Sequence, residues 1–321
     1  MKNKILKYLT SNEYISGQQI SSELNVSRNT IWKHIKELKS NGYIIDSVTN
    51  KGYKLISTPD ILSEVEIQKD LNTDRIGKKI ISFKQIDSTN EEIKRQAKNG
   101  AESGLVCTAE EQLNGKGRLG RNWYSEYGTG IWTSILLRPY ISPMEVSAIT
   151  LICGLAVCDS IKKVTGLSAT IKWPNDVLVN NKKVCGILTE MSAQTDAVDF
   201  IVIGIGINVN NEIFSEDIAY KATSLYLESN KKVSRVELLK EILIKTEQYT
   251  DEFVTDFTSD LLNRYKSQCI TIGKEVTVEK KSTTISGTAV DITNNGTLVI
   301  ETENKERIEI TSGEVSVQGI Y

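Results

Sequence analysis

Histidine is almost absent from the sequence: His34 is the only one among 321 residues. A zinc site built from several histidines is therefore excluded, and a Ser-His-Asp triad would have to use this one residue. His34 falls in the middle of a predicted helix near the N-terminus, as either a solvated surface residue or a DNA contact. In neither role can it serve a distant active site.

Cysteine is scarce as well, and long apolar runs are missing. The five cysteines are odd in number and contain no C-x-x-C pair, which excludes a disulfide framework and a thiolate metal site, so we expect buried, reduced thiols. No segment reaches about 18 consecutive apolar residues, and the N-terminus lacks the apolar core of a signal peptide. We therefore expect a cytoplasmic protein without a membrane partner. The cysteines are Cys107, Cys153, Cys158, Cys185 and Cys269.

Charge is nearly balanced over the whole chain but unevenly distributed along it. Residues 1–58 carry nine Lys and Arg against four Asp and Glu, a net charge of +5, whereas the remaining residues carry 30 against 37, a net charge of −7. The length predicts two or three domains. A small basic module joined to a larger acidic body suggests an end that binds nucleic acid.

The pattern within this basic segment predicts a helix-turn-helix. Ser16 can cap a short helix over Gly17–Leu24, and Ser27 can cap a second over Arg28–Ser40. In the second helix, apolar residues at i, i+4 and i+7, starting at Ile31, form one buried stripe. Polar and basic side chains are left to point outward, as in a recognition helix.

Two strand-like segments follow, one on each side of Asp46–Gly52, and predict a basic wing. A three-helix protein-interaction module is the alternative interpretation. In the DNA-binding interpretation, the contacts come from the start of the second helix and from the wing. The predicted DNA-binding residues are Ser27, Arg28, Asn29, Thr30, Lys33 and Lys51.

The rest of the chain divides into a mixed α and β segment and a run of short strands. Strand-like and helix-like segments alternate up to about residue 268 and include one long helix over Arg235–Leu262. After Ile270, four short strands with an Asn294-Asn295-Gly296 hairpin turn predict a small β-barrel. We therefore predict three domains, over residues 1–60, 61–269 and 270–321.

A glycine-rich, cationic segment, Gly115-Lys-Gly-Arg-Leu-Gly-Arg121, is the first candidate for chemistry. It matches G-x-G-x-x-G, but no strand precedes it and no helix follows, so a dinucleotide-binding fold is excluded. The glycines permit close approach to a ligand, and Lys116, Arg118 and Arg121 supply three cations. This composition is typical of a loop that closes over a phosphate. A flexible, solvent-exposed loop is the alternative.

Two further segments place polar groups beside strands. Lys172-Trp-Pro-Asn-Asp176 predicts a rigid turn that presents an amide and a carboxylate together, suited to a nucleotide or a hydrated Mg²⁺. Lys182 and Lys183 alternate in direction, so only one of them can face the same pocket. In Gly204-Ile-Gly-Ile-Asn208, the glycines of a buried strand leave room for a ligand and Asn208 lies at the pocket mouth. An ordinary buried strand is the alternative.

Taken in order, these segments resemble the biotin–protein ligases. The motifs are Asp87-Ser-Thr-Asn90, the glycine-rich segment, Lys172–Asp176, Lys183–Leu188 and Gly204–Asn208. With the helix-turn-helix in front and the small barrel behind, essentially the whole chain is similar to the bifunctional bacterial type, which is a ligase and a biotin-operon repressor. The resemblance implies an α+β multidomain protein with a winged helix-turn-helix, a central class II aminoacyl-tRNA-synthetase-like mixed α/β domain and a C-terminal SH3-like β-barrel.

The resemblance also implies a reaction and its residues. Biotin and MgATP would give biotinyl-5′-AMP and pyrophosphate, and a lysine of a carboxylase's biotin carrier domain would then take the biotinyl group. The adenylate is also the corepressor, and the homodimer that carries it binds operator DNA. Lys183 and Arg118 would be catalytic, and Asp176 would contact Mg²⁺. Biotin would be bound by Ser88, Thr89, Asn90, Gln112, Lys116, Gly117, Arg118, Lys183, Gly186 and Gly204. ATP and the adenylate would be bound by Arg118, Arg121, Asn175, Asp176, Lys183 and Asn208.

One departure from the family pattern is Lys116, where arginine is common. Lysine keeps the charge but cannot form a bidentate pair. Two other functions stay open: a ligand-sensing repressor without catalysis, and a lipoate-type acyl-adenylate ligase. The intact Lys172–Asp176 and Lys183 segments disfavour the first, and the glycine-rich loop and the N-terminal module disfavour the second.

Overall fold

The structure of the protein is a computed structural model that describes residues 1–9, 13–194, 197–255, 259–280 and 283–320. The chain divides into two compact units, Met1–Ile61 and Leu62–Tyr321. The first unit holds the excess of positive charge and the second the excess of negative charge.

Within residues 1–9 and 13–61, the first unit consists of three helices and a hairpin. The helices are α1 Lys2–Leu9, α2 Gly17–Leu24 and α3 Arg28–Ser40, and the strands are β1 Ile44–Val48 and β2 Gly52–Ser57. Helix α1 was not predicted, whereas α2 and α3 have the predicted bounds.

Both predicted caps of the helix-turn-helix are confirmed. The Ser16 hydroxyl accepts a hydrogen bond from the Gln19 amide at 3.1 Å, and the Ser27 hydroxyl accepts one from the Thr30 amide at 3.2 Å. Each serine thereby satisfies an amide that the start of a helix leaves without a partner. The apolar stripe of α3 that begins at Ile31 is buried, as its spacing predicts.

The hairpin is held against the segment that precedes α2. Ile15 and Tyr53 exchange two backbone hydrogen bonds, with N–O distances of 3.0 and 2.9 Å. Gly52 has a φ of +107°, and a Cβ there would lie 2.1 Å from the Ile15 carbonyl oxygen. Only glycine permits so close an approach. The wing is therefore fixed to the body of its unit.

The second unit is built around a seven-stranded mixed sheet with the order β3-β4-β5-β9-β8-β7-β6. Of its six described strand pairings, β3–β4 is parallel and the other five are antiparallel. The strands are β3 Ile80–Phe83, β4 Val106–Ala109, β5 Gly130–Leu137, β6 Ala169–Lys172, β7 Asp176–Val179, β8 Lys182–Gln194 and β9 Ala197–Asn208.

Helices cover both faces of this sheet. The helices described in this unit are α4 Glu64–Gln68, α5 Thr89–Lys98, α6 Val146–Thr165, α7 Glu216–Ala219, α8 Leu225–Ser229, α9 Arg235–Thr255 and α10 Ser259–Gln268. Side chains alternate along each strand. Cys107, Leu136 and Val202, on three adjacent strands, cluster with Ile93 of α5. Their chain neighbours join the larger core formed with α6 and α9.

Helix α6 is the central helix of that larger core. By length and composition the stretch Pro143–Thr165 could cross a membrane, but 72% of its most apolar window is buried inside the protein. A helix that is apolar nearly all round is expected when protein surrounds it on most sides. We therefore interpret it as a core helix.

The sequence predicts a single helix over Arg235–Leu262, and the structure describes two helical stretches there, the second of which extends to Gln268. Helix α9 ends at Thr255 and α10 begins at Ser259, with residues 256–258 outside the described part of the chain. Both stretches pack against α6, as expected from the apolar periodicity that predicted a helix here.

The C-terminal residues form a separate, five-stranded antiparallel sheet with the order β13-β12-β11-β10-β14. Its strands are β10 Glu275–Lys280, β11 Thr283–Ile292, β12 Leu298–Glu301, β13 Arg307–Ile310 and β14 Glu314–Val317. The hairpin turn at Gly296 is confirmed, with a φ of +79° and a hydrogen bond from its amide to the Thr293 carbonyl. Strand β14 was not predicted.

All five cysteines are buried and free, in agreement with the sequence-based expectation. Burial raises the pKa of the Cys185 thiol well above its ordinary value and raises that of Cys153 to about 12. Because the thiolate is the nucleophilic form, such thiols are unreactive at neutral pH.

Candidate functional site

A cavity of about 660 Å³ opens in the second unit. It is lined by the start of α5, the glycine-rich loop, the β6–β7 turn and the segment that follows β9. All fourteen residues that the resemblance implies for biotin or the adenylate line this one cavity. Segments up to about 120 residues apart in the chain therefore form a single site.

One wall of the cavity is polar and fixed by hydrogen bonds. Thr89 donates to the Gln112 side-chain oxygen from its amide at 2.8 Å and from its hydroxyl at 3.0 Å. Gln112 in turn donates to the Ser125 hydroxyl at 2.9 Å. Ser88, the N-cap residue of α5, is 2% exposed and lies beside them. This wall offers hydroxyl and amide groups already held in position.

Both polar atoms of the Asn90 side chain are hydrogen-bonded within the protein. Its oxygen accepts from the Ser134 hydroxyl at 2.5 Å, and its nitrogen donates to Glu190 at 2.8 Å. Glu190 also pairs with Lys94 at 2.6 Å. This network around Asn90 was not predicted, because its members are up to 100 residues apart in the sequence.

The network continues to the glycine-rich loop. Lys94 bonds to Glu91 at 3.1 Å, and Glu91 accepts from Lys116 of the loop at 2.6 Å. The Lys116 hydrogen bond is the main reason that the pKa of Glu91 lies below its ordinary value. Lys116 thus binds its acidic partner through a single contact of its ammonium group, and such a contact does not need the bidentate fork of arginine.

The charged centre of the cavity is an ion pair between two strands. Lys183 Nζ lies 2.6 Å from Asp176 Oδ1 and 5.4 Å from the centroid of the Trp123 ring. Lys182, its neighbour in β8, is exposed on the other side of the strand. The alternation predicted for this lysine pair is confirmed, and Lys183 is the one that faces the cavity.

The two arginines of the glycine-rich loop bond to other elements. Arg118 donates to the Asn175 side-chain oxygen at 2.9 Å and to the Gly313 carbonyl at 3.0 Å. Burial lowers the pKa of Arg118. Arg121 pairs with Glu314 at 2.5 Å, and that hydrogen bond raises its pKa. The C-terminal sheet therefore contributes to the wall of the cavity, which the sequence did not indicate.

The glycines of β9 differ from their predicted role. A Cβ on Gly204 would lie 2.2 Å from the Asn90 side-chain oxygen, and one on Gly206 would lie 2.6 Å from Trp123 Nε1. The space that they leave is filled by two side chains of this chain. Asn208 lines the cavity but is 6% exposed, and it donates to the Thr223 carbonyl at 3.1 Å. It is therefore a buried residue and not one at the mouth.

A metal ion would find few protein ligands here. Within the described residues, no three His, Cys, Asp or Glu side chains lie close enough together to hold a metal. Asp176 is the carboxylate that lines the cavity beside Lys183. The donor set fits a Mg²⁺ that takes most of its ligands from phosphate and water.

In the first unit, the predicted DNA-binding residues lie on two elements, the start of α3 and the hairpin turn. Arg28, Asn29 and Lys33 are exposed, Thr30 is half-buried, and Lys51 is exposed between β1 and β2. The Ser27 hydroxyl is engaged in its cap. His34 is half-buried and lies 3.3 Å from Glu37 of the same helix.

Comparisons with known proteins agree with this organisation. The Biotin/lipoate A/B protein ligase family matches residues 82–208, an HTH domain matches residues 2–54, and the Biotin protein ligase C terminal domain matches residues 271–318. The fold and the cavity thus define a ligase domain that follows a helix-turn-helix in one chain.

The relatives define the family more closely. The Bifunctional ligase/repressor BirA of Bacillus spizizenii is 39% identical over 91% of this chain and 90% of its own length. That of Escherichia coli is 28% identical over 93% of this chain and 91% of its own length. The biotin protein ligase of Aquifex aeolicus in complex with biotin and ATP is 33% identical, with a TM-score of 0.66 over 75% of this chain and 99% of that one. The chain belongs to the biotin–protein ligase family, in its bifunctional ligase/repressor form.

The contact between Gly204 and Asn90 gives a prediction about stability. Gly204→Ala forces a methyl group into the Asn90 side chain, and such overpacking costs about 1–3 kcal/mol. Gly154→Ala is the matched control, because its Cβ would meet no atom closer than 3.8 Å and alanine favours a helix interior by about 0.5–1 kcal/mol. In thermal denaturation we expect the melting temperature of Gly204→Ala to lie below that of the wild type. The melting temperature of Gly154→Ala should be no lower than that of the wild type. Equal melting temperatures for both variants would contradict this account.

Proposed function

We propose that this chain activates biotin with ATP to give biotinyl-5′-AMP and pyrophosphate, transfers biotin to a lysine of a biotin carboxyl carrier domain, and represses biotin genes as an adenylate-bound dimer on operator DNA. The observation that carries the proposal is the convergence of Lys183, Asp176 and Arg118 beside a fixed polar wall in one cavity. The relatives named as bifunctional ligase/repressor support the combination of a ligase and a repressor in one chain.

Charge neutralisation is the main requirement of the first step. A carboxylate attacks the α-phosphorus of ATP, which brings two anions together, so cations and alignment lower the barrier. Lys183 and Arg118 line the cavity, and Lys172 is buried beside them, with a pKa lowered by burial. Lys183 would exchange the Asp176 carboxylate for the oxygens at the acyl–phosphate junction. This chemistry needs neither a histidine base nor a cysteine nucleophile.

The remaining residues bind and orient the substrates. Ser88, Thr89 and Gln112 would hydrogen-bond the ureido ring of biotin, and Arg121, Asn175 and Asn208 would contact the nucleotide. Mg²⁺, held by Asp176 and phosphate oxygens, would neutralise the charge of the leaving pyrophosphate. Closure of the glycine-rich loop would keep water from the mixed anhydride.

The finer description of the fold belongs to the same proposal. We infer three domains over residues 1–60, 61–269 and 270–321, with the wing completing the N-terminal helix-turn-helix. The seven-stranded, mostly antiparallel sheet supports a class II aminoacyl-tRNA-synthetase-like central domain. The five short antiparallel strands support an SH3-like barrel at the C-terminus. A cytoplasmic location is part of this proposal.

One experiment tests the ligase and its alternatives together. The full chain is incubated with Mg²⁺, ATP and either biotin or lipoate, in the presence of a biotin carrier domain, and the carrier is weighed by mass spectrometry. We expect a carrier that gains one biotinyl group and no lipoyl group. Lipoyl transfer would indicate the lipoate-type ligase, and no transfer with intact biotin binding would indicate a sensor without catalysis.

A chain lacking residues 1–60 is expected to transfer biotin but not to bind DNA.

The alternation of Lys182 and Lys183 supplies a matched pair of variants. Lys183→Ala removes the ammonium that faces the cavity, and loss of one such transition-state interaction costs about 100- to 1,000-fold in rate. Lys182→Ala removes an exposed charge and should change the rate by no more than about twofold. Pyrophosphate release in a single turnover measures both variants. Adenylate formation at the wild-type rate in Lys183→Ala would refute this role.

The Glu91–Lys116 pair predicts an effect on ligand release. Glu91→Gln keeps the shape of the side chain but removes the charge that holds the loop lysine, and an exposed pair of this kind contributes up to about 1 kcal/mol. We expect biotin to dissociate up to about fivefold faster, measured by stopped-flow tryptophan fluorescence. Glu92→Gln is the control, because Glu92 pairs with Arg95 instead. Equal dissociation rates in the two variants would show that the pair does not hold the loop.

The repressor activity predicts ligand-dependent dimerisation. The exposed apolar side chains Leu119, Ile213 and Tyr220 lie on two loops that line the cavity, residues 115–130 and residues 210–223. Ordering of these loops around biotinyl-5′-AMP would remove an entropic barrier to pairing two ligase domains. We expect the adenylate to strengthen dimerisation by about 5- to 150-fold, the usual range of allosteric coupling, and biotin alone to do less. Sedimentation without ligand, with biotin and with the adenylate measures this, and equal dimerisation constants would exclude the coupling.

A further inference from the structure

Trp32 is exposed on the helix α3, where tryptophan is unexpected. Its side chain is 58% exposed, whereas the other three tryptophans of the chain are buried or half-buried. It does not belong to the buried stripe of Ile31, Ile35 and Leu38. The core of the unit therefore does not explain why a large aromatic ring occupies this position.

The surroundings of Trp32 are cationic. The Lys36 ammonium lies 5.4 Å from the centroid of the ring, and Arg28 and Lys33 are exposed on the same helix. No acidic residue occurs in the first turn of α3, and Glu37 is paired with Lys2 at 2.7 Å. An aromatic ring beside several cations is complementary to nucleic acid, because the cations can face the phosphates while the ring meets the bases.

We infer that Trp32 reads DNA sequence directly, by placing its indole against the 5-methyl group of a thymine in the major groove. The inference rests on the repressor half of the proposed function. Thymine is the base that presents a methyl group in that groove, and apolar side chains recognise it by contact. Arg28, Lys33 and Lys36 would position the helix on the phosphates and carry no sequence information themselves.

The test removes the methyl group from the DNA and the ring from the protein. The full-length protein with biotinyl-5′-AMP first selects its preferred duplex from a pool of randomised double-stranded DNA. Each thymidine of that duplex is then replaced singly by deoxyuridine, which lacks the 5-methyl group and keeps the base-pairing edge. Dissociation constants are measured by fluorescence anisotropy at one fixed salt concentration, because phosphate contacts depend strongly on salt.

For the wild type we expect at least one replacement to weaken binding about fourfold, the contribution of one buried methyl-sized group. Trp32→Ala should bind the thymidine duplex more weakly and lose the difference at that position. Trp32→Phe, which keeps an aromatic ring, should retain part of it. Lys33→Ala should keep the full difference and reduce the salt dependence instead. Tyr140→Ala, at a 99% exposed aromatic of the second unit, is the control that should behave like the wild type.

Three results would overturn the inference. In the first, every replacement affects Trp32→Ala as much as the wild type. In the second, Trp32→Ala loses adenylate-dependent dimerisation in sedimentation while its thymine preference persists, which would make the ring a protein contact. In the third, no duplex is enriched, which would remove the repressor function as well. Thermal melting of Trp32→Ala near the wild-type temperature excludes misfolding, as expected at an exposed position.

Discussion

The gathering of positive charges in one cavity is the constraint on which the rest of the ligase unit depends. Like charges repel, so each cation needs a compensating partner in the protein itself. Lys183 has Asp176, Arg118 has the Asn175 side chain and a backbone carbonyl, Arg121 has Glu314, and Lys116 has Glu91. Because these partners come from different elements, the contacts that hold the cations in place also tie the elements together.

The partners are of the kind that a substrate can replace. Carboxylate and carbonyl oxygens stand where the oxygens of a phosphate or a carboxylic acid would compete for the same cations. Most of these pairs are partly exposed, so each contributes little to folding and can be exchanged at low cost. The buried pair Arg235–Glu110, 2.9 Å apart and with both side chains about 5% exposed or less, contrasts with them. It is structural, because its charges have no solvent to return to.

Local features of the sequence could be predicted, whereas long-range pairings could not. The caps at Ser16 and Ser27 and the stripe of α3 depend on spacings of three or four residues, so the helix-turn-helix has its predicted bounds. The fourteen residues implied by the resemblance all line one cavity, as expected for one ordered set of motifs. Strand β14 pairs with β10, which lies about 40 residues earlier in the chain. Arg121 and Glu314 are 193 residues apart, and no local pattern reports either pairing. Glycines at 204 and 206 indicated that space was needed, but not that Asn90 and Trp123 fill it.

The burial of all five thiols has a practical consequence for site-specific labelling of this protein. Their sulfur atoms are screened from solvent, and burial suppresses the thiolate that reacts with maleimides. The native cysteines should therefore react little with thiol-directed labels. A single cysteine introduced at a surface position such as Tyr140 would carry a dye or spin label without any change to the core.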